Sequence, residues 1–219
     1  MEKERTAIVI GATGLIGSSL IINLLNENIY SKIQVFSRRP LDVLNDKVQT
    51  NTVDFDRLHV SKGLIKAQDA FCCLGTTMKA AGSKEAFYKV DFTYVHDFAK
   101  ICLEQGVERF FLVTALGANA NSLFYYNRVK GEIEQAIEKL PFKAVHIFRP
   151  SLLLGERKEK RFGEDLAKTF NTVFQPFIPK KYQGIEGNMV ASAMIKAAKS
   201  EELGIHYHLS KEIKEEVES

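Results

Sequence analysis

Residues 7–17 read Ala-Ile-Val-Ile-Gly-Ala-Thr-Gly-Leu-Ile-Gly, and this stretch decides the fold. Ala7–Ile10 is a short unbroken apolar run, the pattern of a strand covered on both faces. Glycines follow at 11, 14 and 17, and Leu15, Ile16, Leu20, Leu24 and Leu25 then recur at helical period as far as Asn26. Strand, glycine turn and helix in direct succession is the context that a dinucleotide phosphate site requires. Gly11 allows the tight turn, Gly14 lets a pyrophosphate approach the backbone, and Gly17 lets the helix pack close on the strand. The helix N-terminus offers its free N–H groups to phosphate, so Thr13, Leu15 and Ile16 join the three glycines as expected cofactor contacts. The alternative is a glycine-rich turn that binds nothing.

Working outward, strand-length apolar runs alternate with helical stretches. The strands are expected at 6–10, 32–37, 48–54, 69–74, 109–114, 144–149 and 205–209. Helices are expected at 15–26, 83–105, 121–140 and 189–200, with Gly106 in a C-cap position. Such alternation predicts an α/β fold with a parallel sheet. Two stretches break the rhythm: the mixed-charge segment Gly155–Gly163, and Phe174–Gly187 with Pro176 and Pro179. They form either a lid over the C-terminal edge of the sheet or a plain connection. Lys211–Ser219 reads as a frayed polar tail.

Composition fits one domain spanning residues 1–219. The chain is 45% hydrophobic, and 30 Lys and Arg against 27 Asp and Glu give a net charge of +3. That balance predicts no nucleic-acid partner, and no apolar run is long enough to span a membrane. Three cysteines, two of them adjacent at 72 and 73, argue against a disulfide framework. With no secretory signal pattern in the first residues, a soluble cytoplasmic protein is the expectation.

Charge then speaks to which dinucleotide. The second strand ends in Ser37-Arg38-Arg39, twenty residues past Gly17, and no acid follows until Asp42. An acidic side chain near that place would bond a ribose 2′-hydroxyl, whereas arginine accepts a 2′-phosphate through paired hydrogen bonds. NADP(H) is therefore expected over NAD(H), the alternative being arginines that merely solvate a loop.

Tyr126-Asn-Arg-Val-Lys130 places a phenol and an ammonium one helical turn apart. A lysine beside the phenol favours phenolate and suits Tyr126 to general acid–base work. Tyr125 lies off that face; Tyr207 and Lys211 share the spacing but fall on a strand running into the tail. Thr114, twelve residues before Tyr126 at the end of a strand, would bring a hydroxyl to the same sheet edge as the glycine loop.

With these residues in place the chain resembles the short-chain dehydrogenase/reductase superfamily in its atypical or extended branch. More narrowly it resembles the Tat-interactive oxidoreductase group with its bacterial relatives. The resemblance is carried by Gly11–Gly17, Ser37–Arg39, Phe71–Thr77, Val113–Ala115, Phe124–Glu132 and Phe148–Pro150, and it reaches from the first strand to about residue 155. It implies a Rossmann-like doubly wound parallel sheet with a small C-terminal substrate or lid region. It also implies a catalytic triad of Thr114, Tyr126 and Lys130, with Lys130 on the nicotinamide ribose. By the same resemblance Leu74, Gly75 and Thr76 line the cofactor, Asp54 and Phe55 flank the adenine, and Arg149, Pro150 and Ser151 lie near the nicotinamide. Extended members often pair as dimers through the helices expected at 83–105 and 121–140. The chain departs from the pattern at Asp91, where many members carry Asn, and at Thr114, where they carry Ser.

Other candidates reduce to structure. Cys72 and Cys73 fall in a core strand. His206 and His208 alternate on a strand without a third ligand, so no metal is expected. His59, His96 and His146 stand isolated, Arg157–Arg161 is interleaved with acids, and Phe162, Phe174 or Phe177 would line any apolar pocket. Two functions follow. One is an NADPH-dependent oxidoreductase acting on a carbonyl or alcohol. The other is an NADPH-binding regulatory or scaffold protein with a protein partner.

Overall fold

A computed structural model describes residues 5–41, 43–154 and 184–218. Seven parallel strands form one sheet: β1 (Arg5–Ile10), β2 (Tyr30–Ser37), β3 (Val48–Thr52), β4 (Asp69–Cys72), β5 (Arg109–Val113), β6 (Ala144–Arg149) and β9 (Gly204–Leu209). Their order is β3-β2-β1-β4-β5-β6-β9, so the chain reverses its direction of travel between β1 and β4. Ligands bind at such a switch point, outside the carboxyl ends of the strands. Ile10 pairs with Phe36 on one side and Cys72 on the other. That register brings Gly11, Ser37 and Cys73 out at one edge.

The sheet is apolar on both faces because helices cover both. Helix α1 (Leu15–Asn26) and helix α6 (Gly187–Ser200) pack on one face, burying Leu20, Leu24, Val190 and Met194 against Val9, Val35 and Phe111. On the other face, α4 (Tyr94–Glu104), α5 (Tyr125–Glu138) and 3-10 turns over Phe55–Leu64 bury Phe98, Ile133, Ile137 and Leu58 against Ile8, Phe110 and Ile147. At the opposite edge from the glycine loop, Tyr30 donates to Asp69 at 2.6 Å and Arg109 Nε donates to Asp69 at 2.6 Å, all three buried. A buried carboxylate is tolerable only with such partners.

All seven expected strands form, and the differences lie at element ends. The strand expected to 54 stops at Thr52 because Asp54 turns to accept the Asp56 N–H at 2.9 Å. The helix expected from 121 begins at Tyr125, since Asn119 and Ser122 side chains accept the N–H groups of Asn121 and Phe124 and hold a loop there. Short helices α2 (Met78–Ala81) and α3 (Lys84–Tyr88) follow β4. Ser83 caps α3, and a π turn over Lys89–Thr93 interrupts the regular helix expected to run on to 105.

The expected frayed tail is instead helix α7 (Ser210–Glu218). It is anchored by fully buried Ile213 and by the Leu209 N–H donating to Glu212 at 2.9 Å. Residues 155–183, read as a lid or connection and containing Arg157–Arg161, Phe162, Phe174 and Phe177, lie outside the described residues, as does Asp42. Gly184–Gly187 is described: β7 (Leu153–Leu154) pairs with β8 (Ile185–Glu186), which leads straight into α6. No helix among the described residues is long and apolar enough to cross a membrane.

Candidate active site

The glycine loop has the geometry that its sequence requires. Gly11 sits at φ +77°, and a Cβ there would lie 2.4 Å from the Cys73 carbonyl carbon. A Cβ on Gly17 would lie 2.2 Å from the Gly11 oxygen. Gly14 differs: among the described residues, a Cβ there would meet only the Gly11 oxygen, at 3.3 Å. Gly14 is also the N-cap of α1, with no side-chain cap and no acid in the first turn. Among the described residues, nothing else crowds the cradle that the N–H groups and positive end of α1 face, as a pyrophosphate would need. Thr13 is exposed at the rim, Leu15 is half-buried, and the Ile16 side chain is in the core, leaving only its backbone for a ligand.

At the end of β2, Ser37 is buried and its hydroxyl donates to the Arg39 carbonyl, curling the chain so that Arg38 and Arg39 are exposed. Asp54 is exposed beyond β3. Phe55 is 5% exposed, its ring centroid 5.5 Å from that of Tyr94. Its ring is thus committed to the core, a correction to the expectation that it would flank a base.

On the other side of the switch point, the structure brings Gly75, Thr76, Asp91, Tyr126 and Lys130 together. Lys130 is 5% exposed and Asp91 1%. Lys130 Nζ lies 2.8 Å from Asp91 Oδ1, and Asp91 Oδ2 accepts the Thr76 N–H at 2.9 Å. Burial alone would lower the Lys130 ammonium, but the charges of Asp91 and then Tyr126 outweigh it and hold it above the usual lysine value. Tyr126 stands one turn earlier, half-buried, its ring centroid 5.5 Å from that of Phe87. Leu74 is half-buried beside the exposed Gly75. Gly131 holds this part of α5 in place. A Cβ there would lie 2.1 Å from the Ala120 nitrogen, so the loop after β5 crosses the helix in direct contact.

Thr114 occupies a different environment. Its hydroxyl donates to Glu134 Oε1 at 2.5 Å, both residues being buried. Arg149 clamps the same carboxylate with Nε at 3.0 Å and a second nitrogen at 2.6 Å, and its guanidinium lies 4.3 Å from the Tyr207 ring centroid. The hydroxyl proton expected on a substrate oxygen is therefore engaged inside the protein, and so is the Arg149 guanidinium. Pro150 is buried and its carbonyl accepts the Leu116 N–H at 2.8 Å, while Ser151 Oγ lies 2.8 Å from Ser210 Oγ.

Sequence reasoning missed Glu134, although its place one turn beyond Lys130 puts a carboxylate on the functional face of α5. It also read His146 as isolated. His146 is fully buried, lies 3.0 Å from His208 and stacks on Phe111 at 5.0 Å. Burial pushes the Cys72 thiol up to about 12 and raises Cys73 and Cys102 as well, so none is poised as a thiolate. Among the described residues, no group of three His, Cys, Asp or Glu is placed to hold a metal ion.

No protein-family model matches the chain. The rat protein HTATIP2 is 36% identical over 172 residues, covering 77% of this chain and 71% of that protein. Protein FMP52, mitochondrial, of Candida glabrata is 36% identical over 204 residues, covering 90% and 87%. Among solved structures, MoeE5 in complex with UDP-glucose and NAD superposes with a TM-score of 0.72 at 15% identity, covering 92% of this chain and 74% of that one. UDP-glucose 4-epimerase of Thermotoga maritima with UDP-glucose gives 0.70 at 15% identity, covering 93% and 76%. These likenesses show the Rossmann-like fold. The relatives also overturn the cytoplasmic expectation, since the FMP52 proteins of Candida glabrata and Debaryomyces hansenii are named mitochondrial. Free cysteines do not distinguish one reducing compartment from another.

Proposed function

The chain belongs to the HTATIP2 and FMP52 family, an NAD(P)-binding oxidoreductase group of short-chain dehydrogenase/reductase type, and from that membership we propose that it is an NADP(H)-dependent oxidoreductase of a small carbonyl or alcohol. The observation that carries the reading is the buried Lys130, one turn from Tyr126, at the same sheet edge as the open cradle of Gly14.

The residues present fit the cofactor. The α1 N-terminus and Gly14 would hold the pyrophosphate, Arg38 and Arg39 the 2′-phosphate, and Gly75, Thr76 and Lys130 the nicotinamide half. Bound NADP(H) supplies or receives the hydride. Tyr126 gives its phenolic proton to the substrate oxygen in reduction and takes it back in oxidation. Lys130 stabilises the negative charge that develops on the phenol oxygen and offers N–H donors to the ribose. Thr114, its hydroxyl hydrogen-bonded to Glu134, acts as a positioning residue that ties the end of β5 to α5. An intact Tyr126–Lys130 pair favours turnover over the scaffold reading.

The test is turnover on a panel of aldehydes and ketones. Tyr126→Phe should lower kcat by about a hundredfold or more, with NADPH binding unchanged. Full turnover by that variant would refute the assignment.

A further inference from the structure

Residues 114–124, between β5 and α5, and residues 150–154, after β6, contain no Asp, Glu, Lys or Arg, in a chain that is 26% charged. Both stretches leave the sheet at the edge where Tyr126 stands, and the Leu116 N–H donates to the Pro150 carbonyl at 2.8 Å, tying one to the other. What they hold out to solvent is apolar. Leu123 is 95% exposed, Phe124 76% and Leu152 52%, and Phe124 is the N-cap of α5, two residues before Tyr126. A single exposed leucine needs no explanation. Leu123 and Phe124, however, are presented by a pinned loop. The Asn119 N–H donates to the Asn127 carbonyl at 2.9 Å, the Ser122 N–H to the Asn119 carbonyl at 2.9 Å, and Arg128 to the Ser122 carbonyl at 3.1 Å. A rigid apolar display beside a proton donor suits a ligand surface. The charges nearby are engaged: Lys130 lies 2.8 Å from Asp91 and Arg149 2.6 Å from Glu134. Lys84 and Arg128 stand 5.4 Å over the Tyr125 ring, off the Tyr126 face. An anionic substrate brought here would lose water without gaining a free counter-charge from any of these four.

We propose, on the oxidoreductase reading above, that the substrate is an uncharged carbonyl compound or alcohol carrying an apolar chain. Leu123, Phe124 and Leu152 receive the chain while Tyr126 meets the oxygen. Each methylene laid on these side chains leaves water and adds binding, so the site grades substrates by chain length and disfavours a carboxylate in the chain's place. The residues that would hold the cofactor are others: the glycine loop, the end of β2, Gly75, Thr76 and Lys130. Substrate preference and cofactor affinity are therefore separable by mutation.

The experiment measures NADPH-dependent reduction of butanal, hexanal and octanal by the full chain, with succinic semialdehyde as the carboxylate counterpart of butanal. kcat/KM should rise about twofold to fourfold per added methylene, and succinic semialdehyde should fall about tenfold or more below butanal. Replacing both Leu123→Ser and Phe124→Ser should flatten the rise, with NADPH affinity held within about twofold. Leu123→Lys should narrow the gap between succinic semialdehyde and butanal, and it decides the matter if the double serine variant does not fold. No dependence on chain length, a slope that the serine variant leaves intact, or a preference for succinic semialdehyde would overturn the proposal while the oxidoreductase reading stands. If no aldehyde turns over with NADPH, that reading falls and the proposal falls with it.

Discussion

The Thr114 hydroxyl donates a hydrogen bond to Glu134 at 2.5 Å, and Arg149 grips the same carboxylate from the other side. Three elements, β5, α5 and β6, are thereby joined behind Tyr126 and Lys130. Thr114→Ser should preserve the bond and the activity. Thr114→Val removes the donor and should lower stability by about 1–2 kcal/mol in urea unfolding, because Glu134 keeps Arg149 as a partner. Glu134→Ala should do more harm, since it takes the carboxylate from both Thr114 and the Arg149 cation. A valine variant as damaging as the alanine variant would contradict this arrangement.

Gly131 and Gly63 provide a contrast within one fold. A Cβ on Gly131 would meet the backbone of Asn119 and Ala120, at 2.3 and 2.1 Å, whereas a Cβ on Gly63 has nothing within 4 Å among the described residues. Gly131→Ala should cost about 1–3 kcal/mol or more and disturb turnover by shifting α5. Gly63→Ala should be neutral or stabilising by up to about 1 kcal/mol. Thermal melts of the two variants decide it.

Gly14→Ala separates binding from folding. Among the described residues the added methyl meets only the Gly11 oxygen, at 3.3 Å, and the backbone φ of −78° suits alanine. Melting temperature without ligand should therefore barely change, while affinity for NADPH falls by about tenfold or more as the methyl enters the phosphate cradle. A variant that melts early but binds normally would place the cradle elsewhere.

His146 predicts a pH dependence of stability. Burial, and then its neighbours His208, His206 and Arg109, push its imidazole down to about 3. The unfolded chain takes up a proton near the ordinary value of about 6.5, which the folded chain refuses until far lower pH. The folded state is thus at its best above about 6.5 and loses stability as pH falls from there toward 3. His146→Phe, which keeps the stack on Phe111, should flatten the change in urea midpoint between about pH 7.5 and about pH 5.5. An unchanged slope in that variant would assign the dependence to other groups.

What the sequence made legible was what local pattern encodes. The apolar runs announced all seven strands, the glycine spacing announced the cradle, and the four-residue interval announced Tyr126 and Lys130. What stayed hidden depends on partners distant in the chain. Glu134 reads as a surface acid until Arg149, on the neighbouring strand, lies beside it. His146 reads as isolated because His206 and His208 arrive sixty residues later on β9. The π turn around Asp91 leaves no mark in the periodicity, since it answers to Lys130 and Thr76 rather than to its neighbours in sequence. The last helix reads as a tail because its polar residues outnumber Ile213 and Val217, one turn apart, of which Ile213 is fully buried.

On the proposed reading, the cradle of Gly14 and the exposed arginines after β2 together bind NADP(H). The chain has no Trp, so binding can be followed cleanly by the cofactor's own emission and by thermal shift. Titration with NADPH should raise the melting temperature in proportion to the logarithm of its concentration above Kd, with NADH weaker by about tenfold or more. Arg38→Ala should erase most of that difference. Equal response to the two nucleotides would contradict the 2′-phosphate reading, and no response to either would contradict the cofactor site altogether.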